Sequence, residues 1–227
     1  KIRVIIFELE TLSQRQYAMF KRIFPNAYFS ALFGSSQVHY PGYTCKELWQ
    51  DKPNLYHPLP DVLWELMEIG GNKLVKKAGE TGEIVTTKIF NGAGMPLFRY
   101  RTEDCARIVK TPCNCKVKTY ELVGRVEIDY INIPGGGRLW KAEIERVIDL
   151  YKKDVEDDYE LRVSEGSDSI YSRLRLELAV RPYGQIFDLT NFAREIEKKL
   201  RIGPNQLLIS AIKKKSCESL SCVLLPK

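Results

Sequence analysis

Five short stretches between residues 60 and 124, punctuated at short intervals by Gly and Pro, constrain the fold more than any other feature of this chain. They read VLWELMEI, GEIVTTKIF, PLFRYRTED, CARIVK and KTYELVG. Most of their residues are the β-branched and aromatic types that favour strands. Short strands joined by tight turns pair with their sequence neighbours in antiparallel order. The region therefore predicts a small antiparallel, barrel-like sheet.

The start of the chain has a different pattern. IRVIIFE is a near-continuous apolar run, typical of a parallel strand that is buried on both faces. SQRQYAMFKRIF follows with helical spacing and Ser13 as its N-cap, and NAYFSALFG is a second strand. This β-α-β unit predicts a parallel pair with a right-handed crossover. Two strands do not make a stable open sheet, so we expect its other strands to come from an N-terminal half outside this chain, in cis or in trans, or from a second copy in a homodimer.

After Gly124-Arg125 the pattern becomes that of a small α+β domain. EIDYINI, YELRVSE, RLRLELAVR and QLLISAI are predicted strands, and KAEIERVIDLYKK is a predicted helix. A second helix, DLTNFAREIEKKLR, has Asp188 or Thr190 as its N-cap. The resulting βαββαβ order is ferredoxin-like. We expect two domains: residues 1–123, an α/β piece with a partial parallel sheet and the antiparallel barrel, and residues 124–227, the mobile α+β domain.

Composition narrows the classes of partner. The net charge of +6 comes from 35 basic and 29 acidic residues, and the lysine runs are typical of solvated surface. The strands of the α+β domain lack the stacking rings of an RNA-binding sheet, so we expect no nucleic-acid partner. No run approaches the ~20 apolar residues of a membrane helix, and no secretory signal is visible. We therefore expect a cytoplasmic protein that does not bind membranes and whose six cysteines are reduced.

Four motifs occur in the order and spacing of one enzyme family. They are FGSSQ, then GEIVTTKIFNGAGMPLFRYRTEDCARI, then PCNC, and then ELVGRVEIDYINIPGGGRLWKAEIERVI. Together they resemble the second half of an adenylate-forming enzyme of the phenylacetate–coenzyme A ligase branch. Enzymes of this family activate a carboxylic acid with ATP, through an acyl adenylate, and transfer the acyl group to coenzyme A. The resemblance implies that this chain supplies the ribose-binding and hinge part of such a ligase, with an aryl or arylacetic acid as a substrate class.

The resemblance also implies nucleotide-binding residues. Asp104 corresponds to the aspartate that accepts hydrogen bonds from the ribose hydroxyls, a task suited to an acceptor-only carboxylate. Arg125 corresponds to a basic residue beside the nucleotide, and Tyr100 would flank the adenine together with the FGSSQ loop: Phe33, Gly34, Ser35, Ser36 and Gln37. From the residues alone, a salt bridge between Asp104 and Arg101 or Arg107 is the alternative.

Three further assignments follow from the resemblance. Glu127 or Asp129 would be the hinge between the domains. A glycine loop would open onto the thiol-acceptor tunnel, or else simply turn the chain into the helix at residue 140: Gly135, Gly136 and Gly137. Lys227 lies at about the distance of the family's catalytic lysine, whereas the run from 213 to 215 comes too early.

Cys113 and Cys115 are too few to hold zinc, which takes four ligands. Relatives in the resembled branch have a Cys and a His after the aromatic-Gly loop, which here are Cys45 and His57. The resemblance thus implies a Cys₃His structural zinc site that fastens the 40–60 loop to the barrel. The alternatives are free surface thiols at the Cys pair and His39 as the nitrogen ligand.

The chain also departs from the family pattern. Gln37 stands where the family has a glutamate associated with Mg²⁺, and an amide is a poorer ligand for that cation. The family's phosphate loop and half of its acyl pocket have no counterpart in the sequence. We therefore expect no adenylation by the chain alone, and a non-catalytic, zinc-stabilised binding or scaffold protein derived from such a ligase is the alternative function.

Overall fold

The computed structural model describes most of the chain, namely residues 1–8, 11–49, 52–89, 96–126, 128–134, 136–166, 173–184, 186–203, 206–213 and 217–225. These residues form a mixed α/β fold that is largely sheet with few helices. The fold divides into two compact units, Lys1–Asp129 and Tyr130–Lys227. The domain limits drawn at residues 123 and 124 stay a prediction.

In its described residues the first unit has one helix and eight strands: β1 (Val4–Glu8), α1 (Gln14–Ile23), β2 (Tyr28–Ser35), β3 (His39–Tyr43), β4 (Leu55–Pro58), β5 (Val62–Met67), β6 (Thr81–Lys88), β7 (Tyr100–Val109) and β8 (Thr119–Arg125). The strands form one sheet in the order β1-β2-β3-β4-β8-β7-β6-β5. β1 and β2 are parallel, and the other neighbouring pairs are antiparallel. β1 and β5 are separate ends of this order, so a closed barrel is not confirmed.

Helix α1 covers one face of the parallel pair. Ser13 is its N-cap, as predicted: the hydroxyl accepts from the Gln16 amide at 3.2 Å, and the Gln16 side chain accepts from the Ser13 amide at 3.0 Å. On β1, however, Val4 and Ile6 are 52% and 57% exposed. The prediction that this strand is buried on both faces is wrong within the described chain, because α1 packs on one face and β2 is the neighbouring strand on one edge only.

Aromatic side chains form much of the core of the first unit. The Tyr17 hydroxyl donates to the carbonyl oxygen of Trp49, and the Trp49 indole donates to that of Leu55 at 3.0 Å. Phe33 contacts Trp64 edge-on, with 5.3 Å between ring centroids. Each such side chain contributes about 1.5–3 kcal/mol by its burial. Because Trp49 follows β3 and precedes β4, these contacts fix the connection between the two strands against the sheet.

In its described residues the second unit has seven strands and three α-helices: β9 (Tyr130–Asn132), β10 (Arg138–Trp140), α2 (Lys141–Ile148), β11 (Val155–Gly166), β12 (Arg173–Pro182), α3 (Leu189–Lys199), β13 (Arg201–Gly203), β14 (Gln206–Leu207), α4 (Leu208–Lys213) and β15 (Ser221–Leu224). A short 3₁₀ helix, Asp149–Tyr151, follows α2. The main sheet has the order β11-β12-β15, with β11 antiparallel and β15 parallel to β12.

The last predicted strand, QLLISAI, is wrong for most of its length. Gln206–Leu207 is a two-residue strand, and Leu208–Lys213 is helical. The reason is spacing, since Leu208 and Ala211 are buried and Ile212 packs against the same core, which is an i, i+3, i+4 pattern. Ser221–Leu224, which the sequence did not single out, pairs with β12 instead.

The first predicted strand, EIDYINI, also takes a different place. In the described residues it contributes Tyr130–Asn132, which pairs with Arg138–Trp140 in a separate two-stranded sheet. The main sheet therefore contains three strands in the part of the chain that is described. A ferredoxin-like arrangement is not confirmed.

The described α-helices are short, from 6 to 11 residues. Asp188, one of the two predicted candidates, caps α3 by accepting a hydrogen bond from the Asn191 amide at 2.9 Å. None of these helices combines the length and the apolar character that crossing a bilayer requires.

Candidate functional site

Asp104 follows a kink in β7 that hydrogen bonds hold in place. Glu103 has a φ of 64°, in the left-handed region that residues other than Gly seldom adopt. The Thr102 hydroxyl donates to the carbonyl oxygen of Ile84 at 3.0 Å and accepts from the Asp104 amide at 3.2 Å. The pairing register shifts on the β6 side and on the β8 side of this segment. The backbone thus sets the direction of the Asp104 side chain.

The Asp104 carboxylate is largely removed from water, and its side chain is 19% exposed. Desolvation raises its pKa to about 6, and the nearby carboxylates of Glu103, Asp129 and Glu83 act in the same direction, whereas Arg125 lowers it. The Arg125 Nε lies 3.5 Å from Oδ1, beyond the usual range of a hydrogen bond. None of the described residues donates a hydrogen bond to either carboxylate oxygen, so both can accept from a ligand.

The alternative of a salt bridge from Asp104 to Arg101 or Arg107 is not what the structure shows. Arg101 pairs with Glu83, and the Arg107 guanidinium lies 3.9 Å from the Glu121 carboxylate. The cation that faces Asp104 is Arg125, the residue that the motifs also assigned to the nucleotide.

A tight turn follows β8 and brings Asp129 back to Arg125. The Asp129 carboxylate accepts from the Arg125 amide at 2.9 Å, and the Asp129 amide donates to the Arg125 carbonyl oxygen at 3.3 Å. Gly124 has a φ of 135°, and a Cβ there would lie 2.5 Å from the Asp129 Cβ. Glycine is therefore required at this position. Glu127, the other predicted hinge residue, lies outside the described residues.

The FGSSQ segment joins β2 to β3. Phe33, Gly34 and Ser35 belong to β2, and the turn continues through Ser36 and Gln37, which are exposed. The Phe33 ring is 8% exposed and packs in the core, so a ligand at this turn would meet its backbone and polar side chains. Tyr100 is half-buried at the start of β7. The nucleotide contacts of these residues stay predictions.

The described part of the glycine loop closes the β9–β10 hairpin. Gly136 and Gly137 have φ values of 110° and 102°, and the Gly136 amide donates to the carbonyl oxygen of Ile133 at 3.0 Å. A Cβ on Gly137 would lie 2.7 Å from the carbonyl oxygen of Ile202, whereas one on Gly136 would meet open space. The loop thus acts as a close-packed turn. Gly135 and Lys227 lie outside the described residues.

The four predicted metal ligands come together from three segments. Their ligand atoms all lie within 4.8 Å of one another: Cys45, His57, Cys113 and Cys115. Cys45 follows β3, His57 lies in β4, and the Cys pair lies between β7 and β8. All six cysteines are free thiols. His39, the alternative nitrogen ligand, is not part of this cluster.

His57 is oriented as a nitrogen ligand. It is fully buried, its Nδ1 lies 2.9 Å from the carbonyl oxygen of Lys118, and its Nε2 lies 3.2 Å from the Sγ of Cys113. Because a carbonyl oxygen only accepts, Nδ1 carries the proton and donates it, which directs the lone pair of Nε2 at the thiols. Metal-binding histidines are commonly fixed in this way by a second hydrogen bond.

The Cys pair is also held from outside. The Glu47 carboxylate accepts from the Asn114 amide at 2.9 Å and so fixes the turn between Cys113 and Cys115. Hydrogen bonds with the thiols of Cys113 and Cys45 raise the pKa of Cys115 to about 12. A divalent cation would reverse this effect by favouring the thiolates. A tetrahedron with bonds of about 2.3 Å has sulfurs about 3.8 Å apart, so the cluster fits zinc.

Sequence reasoning missed the residues that support Asp104 from behind. Glu83 is 4% exposed and Thr102 is 6% exposed, and neither was singled out from the strand patterns. The sequence did contain a signal for Glu83, because this carboxylate in GEIVTTK stands beside apolar strand residues such as Ile84, which is completely buried. A charge flanked by apolar strand residues has to be exposed or paired.

Comparisons with known proteins place the fold. No protein-family profile matches the sequence, and no curated protein matches it. Among solved structures, ATP-bound MatB from Rhodopseudomonas palustris matches with a TM-score of 0.65 and 16% identity over 97% of this chain and 41% of that one. The 2-hydroxyisobutyryl-CoA ligase in its postadenylation state, in complex with 2-HIB-AMP, matches with a TM-score of 0.60 and 14% identity over 98% of this chain and 44% of that one.

O-succinylbenzoate coenzyme A synthetase (MenE) from Bacillus subtilis, in complex with ATP and magnesium ion, is a third example. It matches with a TM-score of 0.57 and 14% identity over 100% of this chain and 44% of that one. This chain thus spans less than half the length of each of these three solved chains. Its fold is that of a part of the adenylate-forming acyl-CoA ligases, which confirms the predicted resemblance at the level of the fold.

Proposed function

We propose that this chain is the ribose-binding and hinge part of an ATP-dependent acyl-CoA ligase. The observation that carries this proposal is the Asp104 carboxylate, which is desolvated, fixed by a kinked strand and without a hydrogen-bond donor among the described residues. A carboxylate in that state is costly unless a ligand completes its hydrogen bonding. The likeness of the fold to adenylate-forming ligases supplies the class of ligand, a nucleotide.

In this proposal Asp104 accepts hydrogen bonds from the two ribose hydroxyls of ATP and of the acyl adenylate. Its two oxygens have about four lone pairs, so one carboxylate can accept from both hydroxyls at once. Its pKa of about 6 leaves it ionised at neutral pH. Burial strengthens hydrogen bonds to the ion because water competes less for its oxygens.

Other residues of the first unit would complete the nucleotide contacts. The Arg125 guanidinium, 3.5 Å from Asp104, would place positive charge beside the phosphates, where charge develops in the transition state. Tyr100 and the FGSSQ segment, through its backbone and its polar side chains, would flank the adenine. Mg²⁺ would enter with ATP, and the Gln37 amide is a weak ligand for it, so other oxygens would have to hold the ion.

The second unit would contribute to thiol transfer. Gly135, Gly136 and Gly137 would border the path of coenzyme A, and Lys227 would contact the reacting carboxylate. Glu127 or Asp129, which precede the second unit in the chain, would be the hinge. The acyl pocket and phosphate loop would come from segments outside this chain, in cis or in trans. An aryl or arylacetic acid is the substrate class to test first.

The Cys₃His cluster would hold a structural zinc ion. Zinc with four protein ligands has no open position for catalysis. Its role would be to tie the connection between β3 and β4 to the loop between β7 and β8, which leads into the strand that carries Arg125.

The test is a thermodynamic cycle in which two protein variants are each combined with two ligands. AMP and 2′,3′-dideoxy-AMP are titrated calorimetrically into wild type and Asp104→Asn, using the chain alone and the full-length gene product. A hydrogen bond to a charged group is worth about 1.5 kcal/mol or more, which corresponds to about tenfold in affinity. We expect Asp104→Asn to weaken AMP by at least that factor and to leave the dideoxy ligand unchanged.

Asp61→Asn is the matched control, because Asp61 is a half-buried aspartate of the same unit, between β4 and β5. It should leave both affinities unchanged. If wild type and Asp104→Asn bind AMP equally, or if wild type does not distinguish the two ligands, the ligase assignment is wrong. The non-catalytic, zinc-stabilised scaffold would then be the better account.

A further inference from the structure

An ion pair between buried Glu83 and partly exposed Arg101 lies next to the kink that presents Asp104. Glu83 of β6 is 4% exposed, and its Oε2 accepts hydrogen bonds from the Nε of Arg101 at 2.8 Å and from its Nη2. Glu83 is followed by Ile84 and Val85, which are 0% and 2% exposed. Desolvation of the Glu83 carboxylate offsets much of its attraction to Arg101, so the pair by itself is a weak contributor to stability. A role beyond stability is therefore worth seeking in the other contacts of this pair.

The side chains of this pair bind backbone groups in two segments, the turn after β5 and strand β7. The Nη1 of Arg101 donates to the carbonyl oxygen of Gly71 at 3.0 Å, and its Nη2 donates to that of Glu68 at 3.3 Å, both in the turn that follows β5. The second oxygen of Glu83, Oε1, accepts from the amide of Glu103 at 3.3 Å. Arg101 thus fixes the carboxylate of Glu83 from one side, and that carboxylate fixes the backbone of β7 on the other.

The Glu103 amide belongs to the residue in the left-handed conformation. Such a backbone persists where its surroundings hold it on more than one side. Here the amide donates to Glu83, and the carbonyl oxygen accepts from the Val126 amide at 2.8 Å. The next residue is Asp104. A change in the Glu103 backbone would therefore rotate the carboxylate that we assign to the ribose.

We propose that Glu83 is a positioning residue for nucleotide binding: its Oε1, by accepting from the Glu103 amide, locks the kink that directs Asp104 at the ribose hydroxyls. The proposal rests on the proposed function for the identity of the ligand. Arg101 acts through Glu83, since it holds that carboxylate in the required orientation.

Two substitutions of Glu83 separate positioning from the ion pair. Glu83→Gln and Glu83→Leu both remove the charge that Arg101 pairs with, but only Gln keeps an oxygen that can accept from the Glu103 amide. The readout is the ratio of affinities for AMP and 2′,3′-dideoxy-AMP, measured by calorimetry. We expect Glu83→Leu to reduce this ratio about tenfold, the value of one lost hydrogen bond to the ribose, and Glu83→Gln to keep most of it.

Glu121→Gln is the control for a lost ion pair elsewhere in the sheet. Glu121 of β8 pairs with Lys52 and Arg107 and is 17% exposed, so its substitution should lower stability without changing the ratio. A second readout, amide hydrogen exchange at Glu103, needs no ligand. It should accelerate in Glu83→Leu and remain slow in Glu83→Gln and Glu121→Gln.

The outcomes distinguish the two proposals. If wild type discriminates between the ligands and Glu83→Leu does so equally well, the positioning role is overturned and the proposed function stands. If wild type does not discriminate, the proposed function fails, and exchange at the Glu103 amide still decides whether Glu83 holds the kink. Unchanged exchange in Glu83→Leu overturns the role of Glu83 in either case.

Discussion

Replacing Asp104 by Asn should stabilise the protein at neutral pH while it removes the proposed ribose contact. The folded protein raises the pKa of this carboxyl from its ordinary 3.8 to about 6, mainly by desolvation. A pKa difference of one corresponds to about 1.4 kcal/mol, so this difference is equivalent to about 3 kcal/mol. That free energy is the amount by which ionised Asp104 destabilises the folded state, and a neutral amide of the same shape should not incur it.

The direction of the pH dependence follows from where the proton is held. Below pH 3.8 the carboxyl is protonated in the folded and in the unfolded chain, so wild type and variant should respond to pH alike. Between 3.8 and about 6 the unfolded chain has released this proton and the folded chain retains it. Wild type should therefore lose stability relative to the variant as the pH rises through this window. Above it, the gap should remain constant at about 3 kcal/mol.

The assay is urea unfolding at about pH 4 and about pH 7.5, followed by tryptophan fluorescence. Trp49 and Trp64 are buried in the first unit and Trp140 in the second, so a Trp140→Phe background reports on the unit that contains Asp104. Groups that do not interact with Asp104 contribute equally in wild type and variant and cancel in the difference. Asp61→Asn serves again as the matched control.

The reasoning is refuted if the gap in unfolding free energy between wild type and Asp104→Asn changes by less than about 1 kcal/mol between the two pH values. Such a result would mean that the carboxylate is well solvated. It would also remove the desolvation on which the proposed ribose contact depends.

Two further predictions concern the metal cluster and the glycine loop. In Cys113→Ser, elemental analysis should find well below one zinc ion per chain. The midpoint of its thermal unfolding should also fall, because a structural metal stabilises the fold that binds it. The control Cys222→Ser, which lies outside the cluster, should keep its zinc. Gly137→Ala should destabilise the second unit by at least about 2 kcal/mol in urea unfolding, more than Gly136→Ala. The reason is that a Cβ on Gly137 would lie 2.7 Å from the carbonyl oxygen of Ile202, whereas Gly136 has open space; equal effects at the two glycines would contradict the packing argument.

Local signals in the sequence predicted local structure well. Ser13 and Asp188 cap their helices as expected, because capping depends on residues within one turn of the cap. The apolar run of β1 predicted a strand correctly but not its burial, which depends on what covers each face. The segment 206–212 was ambiguous by composition. Its helical spacing outweighed its β-branched residues because Leu208 and Ala211 face the core.

Some residues of the candidate site could be predicted from the sequence and others could not. Cys45, His57 and the Cys pair were found through the family resemblance, and the structure brings them together. Phe33 was placed beside an adenine, yet its ring lies in the core, because strand alternation alone does not say which face a residue occupies. Glu83 was missed for the same reason, since its burial is decided by the guanidinium of Arg101, which comes from the next strand.

The wide spacing of the zinc ligands has a consequence for the order in which the protein folds. His57 and Cys113 are 56 positions apart, and the pairing of β4 with β8 brings their two segments together. Closing a loop of this length costs conformational entropy before the contacts between its ends can stabilise it. We therefore expect the cluster to assemble late in folding. Zinc would then bind last and stabilise a sheet that is already formed. When zinc is scarce, newly made chains should have the sheet formed but the metal cluster empty. The connection after β3 should then be cleaved more readily by a protease.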